Sequence, residues 1–66
     1  MYKETDNLIG IEFKTGSDIY RIISNNSILH VKNNNEYGGY TKNEFCMYFN
    51  HKDWKVINHK VIHELW

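Results

Sequence analysis

Gly10-Ile11-Glu12-Phe13-Lys14-Thr15-Gly16-Ser17-Asp18-Ile19-Tyr20-Arg21-Ile22-Ile23 is the stretch whose reading decides the fold. From Leu8 to Lys14, Ile9, Ile11 and Phe13 alternate with Gly10, Glu12 and Lys14. A period of two makes one side of an extended segment apolar. Thr15-Gly16-Ser17-Asp18 is a turn, with Gly16 supplying the positive φ that a tight hairpin connection needs. Asp18 to Ser24 is the return strand. Its Ile19, Tyr20, Ile22 and Ile23 put apolar groups on both sides, which is the pattern of a central strand.

Working outward, Asn25-Asn26 closes a second hairpin, since Asn tolerates left-handed backbone angles. Ser27 to Lys32 is a third strand, with Leu29 and Val31 on one side and Ile28 and His30 on the other. Asn33 to Gly39 is a polar loop, and Tyr37 and Tyr40 flank its Gly-Gly pair, where a short fourth strand fits. Thr41-Lys42-Asn43-Glu44 matches a capping box, followed by Phe45, Tyr48 and Phe49 on one helical stripe. The expected helix runs from about Lys42 to Asn50 and packs that stripe on the sheet. Asn50-His51-Lys52-Asp53 ends it, and Trp54 to Asn58 is a last strand, with Trp54 and Val56 on one side and Ile57 on the other.

Beyond Asn58, Val61, Ile62, Leu65 and Trp66 fall at i, i+1, i+4 and i+5, which suits a short C-terminal helix. A strand continuing from Trp54 would scatter them over two sides. The expected fold class is therefore α+β: a small twisted antiparallel sheet of three to five strands, one packed helix and a short C-terminal helix. Residues 1–66 form a single domain, with 1–7 as an arm.

At 66 residues the chain buries only about 60% of its unfolded surface. One core of this size contributes roughly 3–5 kcal/mol. Cys46 is the sole cysteine, so no disulfide can staple the chain to itself, and the expected compartment is reducing. No apolar run approaches the ~20 residues that span a bilayer, and Met1 to Asn7 is polar, unlike a signal peptide. The expected location is the cytoplasm. Lys plus Arg and Asp plus Glu each total 8, so neither a basic nucleic-acid binder nor an acidic mimic stands out. Nine Asn, eight Ile and seven Lys, against one Arg and no Ala, Pro or Gln, match AT-rich codons.

Four motifs, Gly10-Ile11-Glu12-Phe13-Lys14, Tyr20-Arg21-Ile22, Tyr40-Thr41-Lys42-Asn43-Glu44-Phe45 and Trp54-Lys55-Val56-Ile57, resemble those of small bacteriophage proteins. The resemblance spans roughly residues 8–58 and rests mainly on core positions and a helix cap. It implies a small β-rich domain with one helix, and by itself it points to no activity. Proteins of this type include inhibitors of host anti-phage defence, so the resemblance implies a partner that is a host protein.

Few constellations suggest chemistry. His59 and His63, with His51 and Glu64 nearby in sequence, have a spacing that could chelate zinc on a helix. The competing reading is polar residues flanking an apolar stripe, and no metal or cofactor is expected. Cys46 and His51 are too far around a helix to act together, and no carboxylates pair, so no catalytic residue is expected. Lys14, Arg21, Lys32 and Lys42 beside Tyr20, Tyr37 and Tyr40 would suit a single-stranded nucleic acid, a rival that is not favoured. Val61, Ile62, Leu65 and Trp66 are the expected interface of a homodimer. Tyr37, Tyr40, His59, His63 and Trp66 are the expected contacts to a protein partner. A viral structural or assembly role is the remaining alternative.

Overall fold

The computed structural model describes residues 1–59. Six elements follow in order: β1 (Glu12–Thr15), β2 (Asp18–Ser24), β3 (Ser27–His30), β4 (Asn35–Tyr37), α1 (Lys42–Asn50) and β5 (Lys55–Asn58). The strands form one antiparallel sheet in the order β4-β3-β2-β1-β5. The fold is α+β, as the alternation in residues 8–24 and the capping box require. The expected C-terminal helix, and with it Val61, Ile62, His63, Leu65 and Trp66, lies outside the described residues.

The topology follows from chain length. β1 to β4 are a meander of tight turns, which leaves β4 at one edge. β5 pairs with β1 at the other edge. The helix must carry the chain across. Its nine residues rise about 13 Å, less than the ~19 Å between the outer strands of a five-stranded sheet. The segments 38–41 and 51–54 make up the difference.

Each boundary has a local cause. Gly16 has φ 62 at the first position of the two-residue loop between β1 and β2, as that kind of hairpin demands. At the second hairpin the expected left-handed Asn is not found: Asn25 and Asn26 keep negative φ, and a register shift between Ile22 and Ser24 absorbs the twist. Ser24 Oγ instead receives the N–H of Asn26 and meets the hydroxyl of Ser27. The left-handed Asn is Asn34, at φ 62, in the turn that ends β3 two residues earlier than Lys32 and moves β4 to 35–37. Likewise β1 begins at Glu12 rather than Leu8. Gly10, at φ 96, bends the chain there, although the Gly10 N–H still reaches the Ile22 carbonyl at 2.8 Å.

The helix begins as expected. The Thr41 hydroxyl accepts the Glu44 N–H at 3.1 Å, and a Glu44 carboxylate oxygen accepts the Thr41 N–H at 2.9 Å. It ends in paired bonds from Lys52 N–H to the Phe49 carbonyl and Asp53 N–H to the Tyr48 carbonyl, with Lys52 left-handed at φ 64. The first seven residues touch this helix at Tyr2. The Tyr2 N–H donates to Asn50 Oδ1 at 2.8 Å, and Asn50 Nδ2 returns a bond to the Tyr2 carbonyl at 2.9 Å.

The core lies between helix and sheet: Leu8, Ile11, Phe13, Ile22, Ile28, Phe45, Cys46 and Phe49. Phe13 and Phe45 are fully buried. Full burial of one such side chain stabilises by about 1.5–3 kcal/mol. Trp54 packs on this core from the loop before β5, although the strand itself starts one residue later than expected. On the sheet's other face, Glu12 and Arg21 are cross-strand partners joined by an ion pair of 2.7 Å.

Candidate functional site

The face that buries Phe13, Ile22 and Ile28 also carries Tyr20, His30 and Tyr37. Phe13 pairs with Tyr20, Tyr20 with His30, and Ile28 with Tyr37. The aromatic rings continue the core sideways. Tyr20, Phe13, Trp54 and Tyr48 form a run of near-parallel rings, with successive centroid spacings of 5.7, 4.1 and 4.4 Å. Phe49 meets Phe13 and Trp54 edge-on, and Tyr40 lies along Phe45 and edge-on to Trp54. Such pairs contribute about 0.5–1.5 kcal/mol each beyond their burial.

Where this aromatic run meets β3 and β4, the packing stops short. Phe13, Thr15, Tyr20, Ile28, Tyr37, Tyr40 and Trp54 line a cleft of about 190 Å³. Tyr37 leans edge-on towards Tyr20 at 6.4 Å and stands 43% exposed. Tyr40 is held at the mouth by its N–H bond to the Asn26 carbonyl, 3.1 Å, made across the Gly38-Gly39 bend. Gly39 has φ 88, so that bend would strain any other residue.

Electrostatics at the cleft are one-sided. Burial, chiefly, pushes the Tyr20 phenol above the ordinary 10.0, and the Asp18 carboxylate and the phenols of Tyr37 and Tyr40 add to it. Tyr40 is raised in the same way by burial, then by Tyr48 and Glu44. Asp18 faces Thr15 across the hairpin. Its carboxylate oxygen lies 3.3 Å from His30 Nε2, yet the alignment does not make a hydrogen bond, and that nitrogen has no other partner among the described residues. His30 itself packs on Tyr20 with centroids 4.8 Å apart.

Two of the expected contact residues, Tyr37 and Tyr40, thus meet in one cleft. His59 does not join them: its ring lies near-parallel to Tyr2 at 6.3 Å, beside the helix. His63 and Trp66 lie outside the described residues. Lys14 and Arg21, expected beside the tyrosines, stand on the other face of the sheet, opposite Ile19 and Glu12. Thr15, Asp18 and Trp54 were not singled out as site residues. The signal for the first two was their parity with Phe13 and Tyr20 along the hairpin. Trp54 gave none, because its place depends on pairing between strands about forty residues apart.

Elsewhere the chemistry is muted. Cys46 is buried, and its thiol is pushed above 9.0 by that burial first and then by the carboxylates of Glu4 and Asp6, so little thiolate is present at neutral pH. Among the described residues, no group of three or more His, Cys, Asp or Glu side chains is placed to hold a metal ion, and no helix is long and apolar enough to cross a membrane. Comparison with known protein families, characterised proteins and solved structures finds no match to this chain.

Proposed function

We propose that this protein is a non-enzymatic binding module that docks a partner protein at the aromatic cleft and acts by occluding it. The motif resemblance supports a host defence protein as the proposed partner and the host cytoplasm as the proposed place of action. The observation that carries the docking reading is the convergence of Tyr20, Tyr37, Tyr40 and Trp54 on one cleft. Tyrosine and tryptophan are the side chains most enriched at binding hot spots, where a rigid ring and a polar tip work together. The cleft is also smaller than the roughly 300 Å³ at which small-molecule sites begin. It suits one inserted side chain better than a whole metabolite.

Capture from bacterial lysate by the full chain, compared with a Tyr37→Ser variant of unchanged melting temperature, tests this. A specific protein should be retained by the wild type and reduced about tenfold or more by the variant, as for a hot-spot residue. Equal capture by both overturns the docking reading. Capture that disappears with nuclease or falls steeply with salt would replace it with nucleic-acid binding. Pairing of two copies through Val61, Ile62, Leu65 and Trp66 belongs to the same proposal. A single-copy mass in sedimentation, both for the full chain and for one ending at Asn58, removes it.

A further inference from the structure

The cleft's walls and its unused charge say what kind of side chain it takes. Of its seven lining residues five are aromatic and none is cationic. Tyr20 with Tyr37, and Tyr40 with Trp54, meet at 65° and 68°, so ring faces and ring edges both border the space. Ring faces attract cations; those of Trp54 are taken by Phe13 and Tyr48, whereas Tyr37 stands exposed. The nearby carboxylates differ in availability. Glu44 is committed to capping the helix at Thr41. The Asp18 carboxylate lies 3.3 Å from His30 Nε2 without a hydrogen bond between them, and its side chain is 51% exposed. The protein's own arginine cannot enter, because Arg21 is bound by two nitrogens to Glu12 on the opposite face.

We infer that the cleft is a seat for one guanidinium group, an arginine side chain of the partner protein, laid against Tyr37 and held at one end by the Asp18 carboxylate. This rests on the docking reading above. Arginine fits better than lysine because its planar group stacks on a ring while offering paired N–H donors to a carboxylate. A nucleic-acid phosphate is disfavoured by the same groups, since Asp18 and Glu44 are the charges acting on Tyr20 and Tyr40 and both are negative. The bound arginine would also complete the unfinished arrangement at Asp18, whose close basic neighbour among the described residues, His30, lies out of line.

The test is an NMR titration of the full chain with N-acetyl-arginine amide and, in parallel, N-acetyl-citrulline amide, its uncharged isostere. Arginine should shift the ring resonances of Tyr20, Tyr37 and Tyr40 and the Trp54 indole, and should bind about fivefold or more tightly than citrulline. Asp18→Asn should weaken arginine by about threefold or more while leaving citrulline unchanged. Both Asp18 and Tyr37 are exposed, so these variants keep the core. Equal binding of the two probes, shifts away from the cleft, or indifference to Asp18→Asn overturns the inference. So does an oligothymidylate that moves the same resonances when arginine does not. If arginine fails while Tyr37→Ser still abolishes partner capture, the guest is wrong and the docking reading stands. If arginine binds as described while capture ignores Tyr37→Ser, the cation seat stands and the docking reading falls.

Discussion

The two faces of the sheet are built from the same strands and have opposite fates. On the covered face Phe13, Ile22 and Ile28 are buried under Phe45 and Phe49. On the other face the neighbours of those residues along the same strands are Glu12, Lys14, Arg21 and Leu29, with Ile19 38% exposed. β2 shows the contrast within seven residues: Ile22 is 1% exposed and Ile19 more than a third. Apolar residues on both sides of β2 read correctly as a strand with neighbours on both edges. They do not imply a layer on both faces, and the described residues supply only one. Lateral position in a sheet and coverage of its faces are separate properties.

The largest expected effect tests the covered face. Phe13→Ala removes the middle of the aromatic run and should cost about 3–5 kcal/mol, as much as a domain of this size has to lose. Circular dichroism at room temperature should find it largely unfolded, and a cooperative melt near the wild type's would erase the distinction between the faces. Next is the helix that makes the cover. Thr41→Ala should lower stability by about 1 kcal/mol, read as a shift in urea midpoint at constant slope.

A gentler erosion comes with alkali. Tyr2, Tyr20 and Tyr40 all have folded-state pKa values above the ordinary 10.0, and Cys46 above 9.0. The unfolded chain therefore releases these protons first. Their contribution is complete below about pH 9 and is lost as pH rises through the folded values. Melting temperature followed from pH 8 to 12 should fall only above that point. The smallest effect belongs to the open face: Ile19→Thr should stay within about 0.5 kcal/mol of the wild type. A loss well beyond that would mean something covers Ile19, and would sharpen the search for what it is.

What could be read in advance follows the same division. The β1–β2 hairpin and the capping box are local, resting on alternation around Gly16 and on four consecutive residues from Thr41 to Glu44. They appear where expected. β4 was displaced because the left-handed turn fell at Asn34 in a run of three asparagines, any of which tolerates that angle. Of the cleft, Tyr37 and Tyr40 were legible as large amphipathic rings beside a Gly-Gly pair. That they face Trp54 was not, because that contact exists only after α1 has crossed the sheet and β5 has paired with β1.

The lone cysteine gives the molecule a built-in clock. Cys46 is a core residue, only 5% exposed, on the flank of the helix that meets Met1 to Glu4, and no second thiol shares the chain. A thiol-specific reagent can reach it only when its cover lifts. The rate of modification under native conditions therefore counts how often the packing around this flank of the helix opens, with no added label.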